Sequence, residues 1–207
     1  MNCDPIARWY RWLEYIGFGR ELERRRLSFL PEVAAARRVL VLGEGDGRFL
    51  VRLVEQNAGA SIDYLDLSDR MLELARQRAG TDQVTYHQGD ALTFPIAIAE
   101  YDLVVTNFFL DCFDESDAAR LVERIAAAAR PRARWLIAEF RQPESGWQAL
   151  WARVWLRALY LFFRGTTGLK TNRLVDHHPI LGKFRFRIAR AEPALFGLLA
   201  SELWTRP

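Results

Sequence analysis

Two periodicities alternate along this chain. Arg38-Val39-Leu40-Val41-Leu42 is a short aliphatic and β-branched run followed by glycines, the pattern of a buried strand. Further runs of this kind occur at Ser61–Leu67, Gln83–His87, Tyr101–Asn107 and Arg134–Phe140. Between them, Asp46–Gln56, Asp69–Arg78 and Glu115–Ala129 carry apolar residues at helical spacing, the last stopped by Arg130-Pro131. Strands alternating with helices predict an α/β fold: a doubly wound, mostly parallel sheet with helices on both faces. Two final strand-like runs, Phe184–Ala189 and Leu198–Trp204, are separated by a turn around Pro193 and Gly197. That spacing predicts an antiparallel last strand and a seven-stranded sheet.

The flanks differ from this core. Asp4-Pro5 is a helix start, and Ile6, Trp9, Trp12, Leu13 and Ile16 follow with helical spacing before Gly17 and Gly19. Glu21–Leu30 reads as a second, charged helix. After Pro143, Gly146–Phe163 is a long aromatic helical segment, Gly165–Gly168 a turn, and residues 170–183 a loop containing His177 and His178. The expected organisation is a single domain: N-terminal helices at 1–34, a core at 35–142, a helical insertion at 143–183 and closing strands at 184–207.

Composition narrows the function classes. Half of the 207 residues are hydrophobic and 27% are charged, as in ordinary globular domains. The net charge is +3, with Arg interleaved with acids along most helices, so a solvated surface is favoured over a nucleic-acid stripe. Cys3 and Cys112 form neither a disulfide framework nor a metal-ligand spacing, and no metal is expected. No apolar run suits a signal peptide or a membrane span, which makes the cytoplasm the default location.

The chemistry-bearing residues gather at predicted strand ends. Gly43-Glu44-Gly45-Asp46-Gly47 joins the first strand to a helix. Glycines there permit a sharp turn and close approach of a ligand. A dinucleotide loop seats a pyrophosphate on the helix N-terminus. This loop carries two carboxylates instead, which repel a pyrophosphate and suit a cationic ligand. Asp66 ends the second strand, where a carboxylate can accept both hydroxyls of a ribose. Gly89-Asp90-Ala91 ends the third, where a side-chain acceptor can take an adenine amine. Asn107-Phe108-Phe109-Leu110-Asp111 ends the fourth. Singly, Asp66 and Asp90 read equally well as helix caps; the ordered set favours a site.

In that order these motifs resemble the class I S-adenosylmethionine-dependent methyltransferases, over residues 35–140. VLVLGEGDGRFL is similar to the family's glycine motif, DYLDLSDRMLELA to its ribose motif and YHQGDALTFP to its adenine motif. YDLVVTNFFL, RPRARWLIAEF and LLASELW are similar to its later strands. The look is closest to small-molecule C- and O-methyltransferases related to ubiquinone and menaquinone biosynthesis, with Tyr10 in IARWYRWLE matching a tyrosine of their N-terminal segment. The resemblance implies S-adenosyl-L-methionine as cofactor, held by Gly43, Glu44, Gly45, Gly47, Asp66, Leu67, Met71, Gly89, Asp90, Ala91, Asn107 and Phe108. Two departures stand out. Val41 occupies a position where the family carries an acid, leaving Glu44 to take over the ammonium. Arg130-Pro131-Arg132-Ala133 replaces its glycine-bearing turn.

Methyl transfer needs an in-line nucleophile and sometimes a base. Asp111, Tyr10 and His177 are the candidate bases, with His178 beside the last. Asn107-Phe108-Phe109-Leu110 lacks the prolines of nucleic-acid amino-methylating enzymes, and Cys112 lacks a preceding proline. A base-methylating role is demoted accordingly. Between Trp147 and Arg164, Arg153, Arg157 and Arg164 form one stripe and Trp147, Trp151, Trp155 and Leu159 fall near the opposite one. The favoured role for this segment is a cover over a substrate pocket lined by Trp151, Trp155 and Phe109. A peripheral membrane contact or a dimer seam are its rivals. The expectation is therefore a methyltransferase for a small, apolar or aromatic acceptor, acting as monomer or homodimer without nucleic acid. A catalytically silent adenosylmethionine-binding protein is the alternative, and an RNA methyltransferase a more distant one.

Overall fold

The computed structural model describes residues 18–141 and 174–207. Helix α1 spans Glu21–Leu27 and is followed by a 3-10 turn at Leu30–Val33. The core then alternates: β1 Arg38–Leu42, α2 Arg48–Gln56, β2 Ser61–Asp66, α3 Asp69–Ala79, β3 Val84–Gln88, β4 Tyr101–Asn107, α4 Glu115–Ala128 and β5 Ala129–Phe140. Helix α5 at His177–Lys183, β6 at Arg187–Ala194 and β7 at Leu199–Thr205 close the chain.

The seven strands form one sheet in the order β3-β2-β1-β4-β5-β7-β6. β1 pairs in parallel with both β2 and β4, so the order reverses between β1 and β4. In open α/β sheets such a reversal leaves a crevice at the carboxyl ends of the strands, where ligands bind. β7 runs antiparallel between β5 and β6. This is the doubly wound sheet with an antiparallel last strand that the pattern predicts.

Alternation sorts the side chains into two cores. Val39, Val41, Ile62, Tyr64, Leu103 and Val105 face α2 and α3, where Phe49, Leu50, Leu53, Leu72 and Ala75 meet them. Leu40, Leu42, Val104, Trp135 and Ile137 face the other way, onto Leu121, Val122 and Ile125 of α4 and Ile180 and Leu181 of α5. Trp135 is fully buried, and its indole N–H donates to Thr106 Oγ1 at 2.9 Å, which satisfies both polar atoms. Asp114 caps α4 by accepting the Asp117 N–H at 2.9 Å. Ser68 caps α3 through the Met71 N–H.

Three boundaries differ from the sequence pattern. β5 starts at Ala129, because Arg130-Pro131-Arg132 continues as an exposed extension rather than a turn. Residues 177–183 are helical, not loop: Asp176 caps them by accepting the His178 N–H at 3.0 Å, and Pro179 lies in the first turn, where its missing N–H costs nothing. β6 runs from Arg187 through Pro193, which is tolerated because the strand lies at the sheet edge. Tyr10 and the segment with Trp147, Trp151 and Trp155 lie outside the described residues.

Candidate functional site

The loop after β1 places its backbone at the reversal point. Gly43, Gly45 and Gly47 all have positive φ, at 60°, 80° and 82°. Gly47 caps α2, and a Cβ there would lie 2.6 Å from the Ala75 Cα, so the loop can pack on α3 only with glycine. The Gly43 N–H donates to the Leu65 carbonyl at 2.9 Å, and the Tyr64 hydroxyl to the Gly45 carbonyl at 2.8 Å.

The two loop acids have different surroundings. Asp46 is buried between two guanidiniums, with Arg48 Nε at 3.0 Å and Arg78 Nη1 at 2.5 Å. Burial pushes its carboxyl up, but the two arginines outweigh that and hold it below the usual range. Asp46 is thus a brace of the loop. Glu44, buried at 6% exposure, lies in the cleft with Arg26 of α1, whose Nε is 3.6 Å from Glu44 Oε1. Arg26 also lies over the Phe108 ring, 5.1 Å from its centroid. Sequence reasoning missed Arg26, because one arginine in a run of three gives no signal. Val41 is fully buried in the apolar layer, leaving Glu44 as the first acid after β1 in the chain.

Asp66 stands at the end of β2. Its Oδ1 accepts the Ser68 N–H at 2.8 Å and its Oδ2 the Gly45 N–H at 3.3 Å, linking two of the strand ends. Asp90 Oδ1 accepts the Leu92 N–H at 2.9 Å, shaping the turn after β3. Asn107 ends β4, is buried, and its Nδ2 has no hydrogen-bond partner among the described residues. A buried amide donor left unmatched costs free energy, and a ligand acceptor would relieve it. Phe108 follows at φ 52°, a left-handed conformation that turns the chain off the sheet. Phe109 packs onto Gly43 so closely that a Cβ there would be 2.0 Å from its ring.

These groups line one cleft, open to solvent and bounded by Arg26, Gly43 to Gly45, Leu65 to Leu67, Met71, Gly89 to Ala91, Asn107 to Phe109, Cys112 and Phe113. All the residues assigned to the cofactor from sequence lie on it except Gly47, which acts through the turn. Its acids sit at the β1, β2 and β3 ends, and three phenylalanines sit at the β4 end.

Of the candidate bases, Asp111, His177 and His178 are not among the lining residues, and Tyr10 lies outside the described residues. Asp111 lies on a short 3-10 turn at Leu110–Cys112, next to Glu139 of β5, a buried acid that the sequence pattern hid within an apolar strand. Burial raises the Asp111 carboxyl to about 6. Burial and then the Asp111 charge raise Glu139 well above its ordinary value. His177 and His178 instead meet the buried Glu202 of β7. His87 is structural: its Nε2 lies 2.9 Å from Asp63 Oδ1.

Residues 39–132 match the family model described as a methyltransferase domain. Over 112 residues the chain is 34% identical to the demethylmenaquinone methyltransferase of Deinococcus radiodurans, covering 53% of this chain and 46% of that protein. It is 30% identical over 122 residues to the ubiquinone/menaquinone biosynthesis C-methyltransferase UbiE of Dinoroseobacter shibae, covering 55% and 47%. The chain thus spans about half the length of these curated relatives. The fold is shared with the N-methyltransferase NodS of Bradyrhizobium japonicum, solved with S-adenosyl-L-homocysteine, at a TM-score of 0.65, 17% identity, and coverage of 92% and 88%. Residues 39–132 thus match a methyltransferase domain, and the fold is one shared with methyltransferases such as NodS.

Proposed function

We propose that the cleft binds S-adenosyl-L-methionine and that the chain methylates a small, apolar or aromatic acceptor. The observation that carries this reading is the convergence of Glu44, Asp66, Asp90 and the unmatched Asn107 amide on one cleft at the sheet's reversal point. That donor set fits the ligand. Carboxylates suit an ammonium and a sulfonium, and Asp66 has the acceptor capacity for two ribose hydroxyls. Asn107 Nδ2 offers a donor to a carboxylate, and Arg26 adds a positive charge to the same cleft. Leu67, 40% exposed on the cleft, and Met71 offer apolar contact to a purine.

When bound, adenosylmethionine supplies an electrophilic methyl group for in-line attack by the acceptor. The chain's own part is positional. Phe108, Phe109 and Phe113 give the β4 end an aromatic wall that excludes water and favours an apolar acceptor. The Asp111–Glu139 pair lies directly behind that wall, and a carboxyl near 6 is suited to receiving a proton at neutral pH. Tyr10, Trp151 and Trp155 keep their proposed roles at the acceptor side. We take residues 1–207 as one domain, cytoplasmic, acting as monomer or homodimer. Among the described residues no helix is long and apolar enough to cross a membrane.

Incubation with labelled adenosylmethionine and a panel of phenols, quinols, lipids and small RNAs tests the acceptor class. Label transfer to a phenol, quinol or lipid supports the reading. Transfer confined to RNA overturns the acceptor, and cofactor binding with no transfer to any of them favours a silent binding protein.

A further inference from the structure

Glu202 is 1% exposed in the middle of β7, where it pairs across the sheet with Ile137 and Ala191. Removing a carboxylate from water this completely is costly unless strong partners replace the water. Its partners are unusual. His177 and His178 are consecutive residues at the start of α5, and neighbours on a helix project about 100° apart. Both nevertheless bring Nε2 to this one carboxylate, His177 to Oε2 at 3.0 Å and His178 to Oε1 at 2.8 Å. The three ligand-type atoms lie within 4.8 Å of one another, the one such group of three or more among the described residues.

We propose that His177, His178 and Glu202 form a binding site for a divalent transition metal, with zinc the first candidate. Two imidazole nitrogens and a carboxylate are the donor set that borderline dications prefer, at about 2.0–2.2 Å from the ion. A tetrahedral ion at such distances separates neighbouring ligand atoms by about 3.3 Å, so the present 3.0 and 2.8 Å need to open only slightly. The Trp204 indole N–H donates to Glu202 Oε2 at 2.8 Å, the kind of outer hydrogen bond that orients a ligating carboxylate. His177 is enclosed and the His178 side chain is 24% exposed, so the site opens on one side, where a water or an exogenous donor completes the coordination. The site lies outside the cofactor cleft, and the proposal does not rest on the methyltransferase reading.

One neighbour opposes the metal. Arg141 Nη1 lies 3.3 Å from Glu202 Oε1. This guanidinium follows the end of β5 and is 40% exposed, so it can swing into solvent when a dication arrives. Arg141 therefore acts as a built-in competitor for the carboxylate, and removing its charge should tighten metal binding.

The test is calorimetric titration of chelator-stripped full-length protein with zinc chloride, repeated with cobalt chloride and followed by visible absorption. The expected result is one zinc per chain at micromolar free metal, a cobalt band typical of nitrogen and oxygen ligands, and a rise in melting temperature with zinc. Glu202→Gln and His178→Ala should each weaken binding at least about tenfold, and Arg141→Gln should tighten it severalfold. His178 is partly exposed, so its variant tests the site even if Glu202→Gln fails to fold. Absence of stoichiometric binding by the folded wild type would show a hydrogen-bonded network only and overturn the proposal. Binding undiminished in His178→Ala would place the ion elsewhere and overturn it equally.

Discussion

The Phe109 backbone N–H donates to Glu139 Oε1 at 3.0 Å, joining the turn after β4 to the end of β5. The Leu110 N–H reaches the same oxygen at 2.8 Å. One buried side chain thus fastens the segment that carries Phe108 and Phe109 into the cleft. Glu139→Gln keeps an acceptor and should cost little. Glu139→Leu strands two N–H groups and should destabilise by about 2–4 kcal/mol, given about 1–3 kcal/mol for each donor left unmatched. Denaturant unfolding of the two variants checks the difference; equal stabilities would contradict the fastening role.

Asp111 should make stability fall with rising pH. Its carboxyl is raised by burial to about 6 beside Glu139, with the Cys112 thiol as its other close polar neighbour. Between the ordinary value near 3.8 and about 6, the folded chain holds a proton that the unfolded chain has released. Its favourable contribution is complete below about pH 4 and is lost through about pH 6. Asp111→Asn should flatten that slope and raise the melting temperature at pH 8 by about 2–4 °C, equivalent to about 1 kcal/mol. An unchanged slope would show that Asp111 is not the group responsible.

Gly47→Ala should damage the loop without touching the cleft directly. Its φ of 82° and the 2.6 Å approach to the Ala75 Cα leave no room for a Cβ. A loss of more than about 1 kcal/mol is expected from the backbone conformation alone, with weakened cofactor binding. Thermal melts and a cofactor titration of this variant check both effects.

Asn107 separates stability from binding. Its Nδ2 is buried without a partner among the described residues, so Asn107→Leu should leave stability unchanged or raise it. If that amide faces a ligand acceptor, affinity for S-adenosyl-L-homocysteine should fall about tenfold, the loss of one hydrogen bond of about 1.4 kcal/mol. Destabilisation with intact affinity would make Asn107 structural.

Much of this architecture was readable from local pattern. The five parallel core strands, the helices between them and the glycine loop are all encoded within short windows, as are the acids at the ends of β2 and β3. What escaped depends on distant residues meeting. Glu139 and Glu202 sit inside apolar strands, where a single acid resembles an interruption until its partners on another element are known. Arg26 gains meaning only through Glu44 and Phe108. The helix at His177 was hidden by Pro179 and the paired histidines, which read as a loop until Asp176 is recognised as the cap. β5 begins earlier than expected because Arg130-Pro131 ends the helix without ending the extended pairing.

The central claim is that this cleft holds adenosylmethionine through Asp66, and calorimetric titration of the wild type and of Asp66→Ala tests it most directly. The wild type should bind S-adenosyl-L-methionine and S-adenosyl-L-homocysteine at one site per chain. Asp66→Ala should fold and lose about 1.5–3 kcal/mol of binding, the range for hydrogen bonds to a charged group. Absence of binding by the folded wild type, or equal affinity in a folded Asp66→Ala, would contradict the account.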